Sequence, residues 1–333
     1  MVTVWCRTYN HEKFIEKALQ GFVMQKTNFR FEVIVCDDCS TDSNAQIIKS
    51  YAEKYPDIIK PILLETNHYS KKIKIMPLYL PTFKGKYIAF CEGDDFWQDE
   101  NKLQTQFDAL ESNPGCVASF NRVEKVFMNN ESTGQFLPYF KIQPGVIESK
   151  KFLSTVVYPA PVTNLAFQLS GCMMRTDIYR EYWDNKPQYA GLFMCGDIPI
   201  FLHLGMKGDV YYIDKPMSCY RVGNPNSYVG NILRIREKAI KNFECEKNAF
   251  LAFDEYSDYI VHEQVLKAIR GRKFSILRAN HDIKGMKTEE MADLFSLLSK
   301  KQKFKEYLLH YFPFMEKFVN YVKFNRKKQK KKK

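Results

Sequence analysis

The chain has 333 residues, 45% hydrophobic and 15% aromatic, which is enough to bury a sizeable core and excludes a disordered protein. Its formal charge of +12 sits almost wholly at one end. Lys301 to Lys333 hold twelve Lys/Arg and two Glu, a net of +10, so the other 300 residues carry only +2. A near-neutral body excludes nucleic acid as a partner for anything but the tail.

Val2 to Cys6 reads as a short buried strand. Thr8-Tyr9-Asn10 is a loop, with Asn10 as an N-cap. Phe14, Ile15, Ala18, Leu19 and Phe22 then recur at helical spacing. Phe31 to Cys36 is a second strand, and Ser40-Thr41-Asp42 caps a helix through Tyr51 and Ala52. Ile58 to Leu64 and Lys86 to Cys91 are the third and fourth strands. A helix follows from about Asp99 to Leu110. Alternating strands and helices predict an α/β domain with a mostly parallel, Rossmann-like sheet flanked by helices.

Cys116 to Phe120 reads as one more strand. Residues 121–170 mix turn signals with aromatics and are expected to be irregular, acceptor-facing loops. Asp197 to Leu204 starts a helix, Val210 to Ile213 is strand-like, and the chain is mostly helical from Asn231. The expected division is into two halves of one domain, 1–115 and 116–228. A helical C-terminal region follows at 229–325, then a basic disordered tail at 326–333.

Nine scattered cysteines fit reduced thiols in a cytoplasmic protein better than a disulfide framework. Cys36 and Cys39 have the spacing of a zinc half-site or redox pair. No second pair exists, and both intervening residues are Asp, so small residues flanking the acids are the expectation. The first segment is strand-like and interrupted by Arg7, unlike a secretory signal. No apolar run approaches the ~20 residues that span a bilayer.

Two strand ends carry the chemistry. Val33-Ile34-Val35-Cys36 runs into Asp37-Asp38, and Tyr87-Ile88-Ala89-Phe90-Cys91 runs into Glu92-Gly93-Asp94-Asp95. Adjacent carboxylates repel unless a cation or ligand donors offset them. Buried strands delivering acids at their C-terminal ends build a ligand crevice in an open α/β sheet. This predicts a metal-assisted site for a phosphorylated substrate.

Four ordered stretches, Arg7-Thr8-Tyr9-Asn10, Asp37-Asp38-Cys39-Ser40-Thr41-Asp42, Glu92-Gly93-Asp94-Asp95 and Cys195-Gly196-Asp197, make residues 1–225 resemble a family 2 glycosyltransferase of GT-A fold. The resemblance implies an inverting, nucleotide-sugar-dependent enzyme assisted by a divalent metal, Mn or Mg, with 1–115 as its nucleotide-sugar-binding half and 116–228 as its acceptor-binding half. By the same resemblance Asp95 binds the metal, and Asp94 contacts the ribose or a metal-bound water. One of Asp37 and Asp38 binds the base, with Asp38 favoured, and Thr8 and Tyr9 complete the pocket. Asp37 and Asp42 also fit as caps of the following helix. Asp197 is the implied general base, and capping its own helix before Ile198-Pro199 is the structural alternative.

The family often has Glu-Asp where this chain has Gly196-Asp197, and a His where it has Gly223. Asn226 is then the residue that can replace the His contact. Arg221, Asn226 and Trp97 are the expected phosphate or acceptor contacts, structural pairing being the alternative for Arg221. Tyr69-Ser70-Lys71-Lys72-Ile73-Lys74 stands where the family commonly has a Gly- and Arg-containing segment. The Gln-x-x-Arg-Trp motif of processive members is absent, which implies single additions.

Phe304, Tyr307, Leu308, Tyr311, Phe312, Met315, Phe318, Val319 and Val322 keep helical spacing among lysines, with a kink at Pro313. This fits a basic helix on an anionic membrane surface or, equally, a helix packed on the body. The expected activity is transfer of a sugar from a nucleotide-sugar donor, expected to be a UDP-sugar, to a glycan or lipid-linked acceptor in polysaccharide biosynthesis. The expected place is the cytoplasm, peripheral at the inner face of the membrane. Rival readings are a nucleotidyltransferase, disfavoured because Thr8-Tyr9-Asn10-His11-Glu12 lacks glycine, and a non-catalytic glycan- or membrane-binding protein with a decayed site.

Overall fold

The computed structural model describes residues 1–158, 166–224 and 235–315. Strands β1 (Val2–Thr8), β2 (Phe31–Asp37), β3 (Ile59–Leu63) and β4 (Tyr87–Phe90) lie parallel in the order β3-β2-β1-β4. The chain then adds β5 (Phe96–Trp97), β6 (Cys116–Val126), β7 (Ser132–Leu137), β8 (Gly145–Ile147), β9 (Cys172–Arg175) and β10 (Asp209–Arg221). The sheet continues β4-β9-β6-β10-β5, with β7 paired to β6 and β8 to β10. In this half only β6 and β10 pair in parallel.

The helices are α1 (Ile15–Val23), α2 (Asn44–Lys54), α3 (Ile75–Tyr79), α4 (Lys102–Ser112), α5 (Ser149–Val157), α6 (Thr176–Asp184) and α7 (Asp197–Lys207). After them come α8 (Arg236–Tyr256), α9 (His262–Ala279), α10 (Ile283–Met286), α11 (Ala292–Ser296) and α12 (Lys300–Tyr311). Side chains alternate across a strand, and both faces of β1 and β2 are apolar. Val2, Val4, Cys6, Val33 and Val35 pack with Ile15, Leu19 and Phe22 of α1, Ile48 of α2 and Leu103 of α4. Trp5, Ile34 and Cys36 belong to the opposite core, with Phe90, Phe120, Phe152, Phe201 and Phe250. All nine cysteines are free thiols.

Three local readings change. Residues 121–158 are not irregular loops: β6 runs on to Val126, turns into β7, and leads through β8 to α5. Arg122 and Glu124 alternate with buried Val123, the pattern of a half-exposed strand that polar residues make look like loop. The strand at Val210 continues to Arg221 despite Pro216, because register shifts on both sides of Pro216 absorb its missing N–H. Asn10 does not cap α1, whose N-cap is Phe14. It adopts φ +54° instead, and its Oδ1 accepts the Thr41 N–H at 2.8 Å, tying the two loops at the strand ends together.

One buried cation has a pH signature. Lys102 is fully buried, donates to Gln106 Oε1 at 2.5 Å and lies 4.1 Å above the Trp97 ring. Burial pushes its pKa down from 10.5 to about 7. A lysine depressed on folding binds its proton more tightly when unfolded, so it makes stability rise with pH from about 7 upward. Wild type should therefore gain on Lys102→Met by roughly 1 kcal/mol per pH unit between pH 7 and 8.5. Urea unfolding at several pH values checks this, and parallel curves would refute it.

Candidate active site

The site grows from the converging ends of β1, β2 and β4. Thr8 is in register with Asp37, and Trp5 with Phe90. Beyond β4, the Cys91 N–H donates to the Trp5 carbonyl at 3.1 Å and the Gly93 N–H to the Arg7 carbonyl at 2.9 Å. The acidic turn is thus laid along the end of β1. Gly93 is required for this approach, because a Cβ there would sit 2.5 Å from Thr8 Cβ.

The structure separates the two acids of the turn. Asp95 is 1% exposed, and both its oxygens are taken. Oδ2 accepts from Ser170 Oγ at 2.6 Å, and Oδ1 accepts the Arg221 N–H at 3.0 Å. Burial, then the neighbouring Asp94 charge, push its pKa well above the usual carboxylate range. The expectation that Asp95 is the direct metal ligand does not fit these surroundings. Asp94 is the open acid: its side chain is 26% exposed, and His11 Nε2 stands 4.0 Å from its Oδ2.

Glu92 also faces the crevice, with Oε2 3.6 Å from Arg7 Nε. Across from them, Asp197 occupies the first turn of α7, whose N-cap is Gly196. Asp197 is half-buried and stands one residue inside the helix, so it is not the N-cap of α7. Burial, then the Glu92 charge, raise its pKa from 3.8 to about 6, with Arg7 pulling the other way. That is the condition of a proton acceptor poised near neutral pH.

At the β2 end, Asp37 orders the loop ahead of α2 and does not cap the helix, whose N-cap is Ser43. It accepts from the Ser40 N–H at 2.9 Å, from the Ser40 hydroxyl, and from Asn44 Nδ2 at 2.5 Å. Asp42 accepts the Asn44 N–H at 3.0 Å at the start of α2. Asp38 is buried, with its two oxygens on the His68 and Tyr69 N–H groups at 2.7 and 3.0 Å. It holds the segment after β3 against the crevice. Thr8 is buried, with its hydroxyl on Asn44 Oδ1, whereas Tyr9 is exposed.

Two expected contacts are differently employed. Trp97 is 2% exposed, donates Nε1–H to the Ser170 carbonyl at 3.1 Å and packs edge-on against Phe22. A core residue of this kind cannot meet phosphate or acceptor. Arg221 is buried, and its guanidinium is committed to Asn130 Oδ1 and the Asp94 carbonyl. This is the structural role left open for it, although its partners are not acids. Asn226 lies outside the described residues. Gly223 has φ +89°, a conformation that the family's His would adopt only with strain.

Arg7 and Glu92 belong to quoted motifs but had no role assigned; the structure gives them one. His11, Ser170 and Asn130 had no sequence signal, since Ser170 and Asn130 meet their partners across 75 and 91 residues. Asp94 and Glu92 are hard oxygen donors, which fits a Mg or Mn ion. Among the described residues no cluster of three or more His, Cys, Asp or Glu is arranged around a metal position. One carboxylate, with substrate phosphates completing the shell, is the usual arrangement for such ions.

Comparisons with known proteins bear on the family and the fold. The profile of Glycosyl transferase family 2 matches residues 4–183. An uncharacterized protein of Mycobacterium tuberculosis is 39% identical over 134 residues, 39% of this chain and 37% of its own length. The putative teichuronic acid biosynthesis glycosyltransferase TuaG of Bacillus subtilis is 31% identical over 120 residues, 36% of this chain and 45% of its own. The match therefore spans less than half the length of these relatives. Among solved structures, residues 1–349 of Staphylococcus aureus TarS in complex with UDP-GlcNAc superpose with a TM-score of 0.56 at 20% identity. That superposition covers 93% of this chain and 86% of the other, and it shows the GT-A fold. With more than half of its residues matched by the family profile, the chain belongs to glycosyl transferase family 2.

Proposed function

We propose that the chain is an inverting, non-processive glycosyltransferase that moves a sugar from a UDP-linked donor to a hydroxyl of a glycan or lipid-linked acceptor. The observation that carries this reading is Asp197, whose pKa is raised to about 6 by burial and by Glu92 of the same acidic turn whose Asp94 stays open. Asp197 takes the acceptor proton as its oxygen bonds the anomeric carbon. The bond to the diphosphate breaks on the opposite face, and the nucleoside diphosphate leaves with the electron pair. A divalent ion held by Asp94 would neutralise the charge that develops on the leaving diphosphate. Arg7 balances Glu92 and keeps Asp197 from rising further. Tyr9, exposed just past β1, would meet the nucleoside, with Asp38 ordering the neighbouring segment through the His68 and Tyr69 N–H groups. The UDP assignment draws on the UDP-GlcNAc complex of TarS.

A thermal-shift panel of nucleotide sugars, with and without Mn, tests the donor. A UDP-sugar should raise Tm by mass action and do so more strongly with the metal. No shift by any UDP compound would overturn the reading.

The C-terminal region is proposed to rest on an anionic membrane surface. Phe304 and Tyr311 of α12 are exposed, as are Phe312 and, at 77%, Phe314. Such aromatics beside a basic run suit a lipid interface. The basic residues after Arg326 lie outside the described residues. Truncation before Arg326 should weaken binding to anionic liposomes, each basic residue near the surface contributing about 1 kcal/mol. Equal cosedimentation of full-length and truncated protein would refute this.

A further inference from the structure

We infer that Asn130, an exposed residue on the turn between β6 and β7, is a positioning residue for the donor site and acts through Arg221. Its Oδ1 accepts both Nε–H and Nη2–H of Arg221, at 3.1 and 2.7 Å. Nη1 of the same guanidinium donates to the main-chain carbonyl of Asp94. The guanidinium lies between the rings of Phe14 and Phe96, at 5.0 and 4.7 Å from their centroids. The Arg221 N–H holds Asp95 Oδ1, and the next N–H, of Val222, bonds the Val126 carbonyl at 2.9 Å.

One surface amide therefore fixes which oxygen of Asp94 the guanidinium addresses. Two donors on Asn130 aim the third at the Asp94 carbonyl. The Asp94 carboxylate is left to the crevice and to a cation. Without the Asn130 acceptor, two buried donors lose their partner, and of the two neighbouring acids Asp95 has both oxygens already committed, so the Asp94 carboxylate is the replacement left to them. An Arg on the carboxylate competes directly with a metal ion. The turn needs a left-handed residue at this point, with φ +68°, which Asn tolerates. Backbone conformation and acceptor can therefore be tested separately.

The inference rests on the proposed UDP-metal donor site. Asn130→Gly keeps the left-handed turn and removes the acceptor; Asn130→Asp keeps both. Calorimetry with UDP, with and without Mn, is the measurement. The Gly variant should lose about tenfold in Mn-dependent affinity, the scale seen when a partner of a metal ligand is removed, with metal-free UDP binding unchanged. The Asp variant should stay within about twofold of wild type, since it retains the paired acceptor. Should the Gly variant fail to fold, Arg221→Lys, which keeps the charge and loses the fork, should show the same split. Unchanged Mn-dependent affinity in the Gly variant, or an equal loss with and without Mn, overturns the inference alone. Absence of Mn-dependent UDP binding in wild type overturns the donor reading, and this inference with it.

Discussion

Asp197→Asn should lower kcat by on the order of a hundredfold or more while leaving UDP affinity nearly unchanged. The amide keeps the shape of the carboxylate and cannot take a proton from the acceptor hydroxyl. The same substitution should stabilise the fold at pH 7.5. Asp197 has a folded pKa of about 6 against 3.8 for the free side chain. The folded state thus holds its proton more tightly, and stability is lost as pH rises from about 4 to 6. Above that window the charged, half-buried carboxylate costs on the order of 1–2 kcal/mol, allowing for its contact with solvent. Asn does not carry that cost, so its advantage in Tm should appear at pH 7.5 and vanish near pH 4. For wild type, kcat/KM should rise through about pH 6, and Glu92→Gln should move that limb to lower pH. Retained turnover in Asp197→Asn would place the base elsewhere. Collapse of UDP binding or of the fold would make Asp197 structural.

Strands β1, β2 and β4 were legible because both faces of each are largely apolar, so their runs stand out from the surrounding polar loops. The edge strand β3 shows through Ile59, Ile62 and Leu63, although Lys60 and Pro61 are exposed. Helix α1 was legible from spacing, α2 from its Ser-Thr-Asp start, and α7 from the Asp-Ile-Pro start. The residues of the crevice were legible as motifs, because acids at strand ends have few structural uses. Their division of labour was not. Asp94 and Asp95 are neighbours in sequence, and only tertiary contacts from Ser170 and Arg221 turn one of them inward. Trp97 fails as a direct contact for the same reason: its partner comes from a segment 73 residues away. β6 beyond Phe120 was missed because its outer face is polar.

The distinction between Asp94 and Asp95 makes the second large prediction. Asp94→Asn should abolish Mn-dependent UDP binding with little change in Tm, since a neutral amide is a far poorer ligand for a hard cation and the side chain has no buried partner to lose. Asp95→Asn should do nearly the reverse. Its Oδ1 can still accept the Arg221 N–H, and its new Nδ2 can donate to Ser170 Oγ, so the turn survives. The amide also carries none of the penalty of a charge buried beside Asp94. Mn-dependent affinity should stay within a few-fold of wild type, and stability should hold or rise. Asp95→Ala is the control. It strands the Ser170 hydroxyl and the Arg221 N–H in a dry interior, at about 1–3 kcal/mol for each unsatisfied group. It should therefore unfold at lower temperature than either Asn variant. Calorimetry and thermal melts on the three proteins decide between the acids. Loss of Mn-dependent binding in Asp95→Asn with retention in Asp94→Asn would return the metal to Asp95, and would require Ser170 and Arg221 to release it when the donor binds.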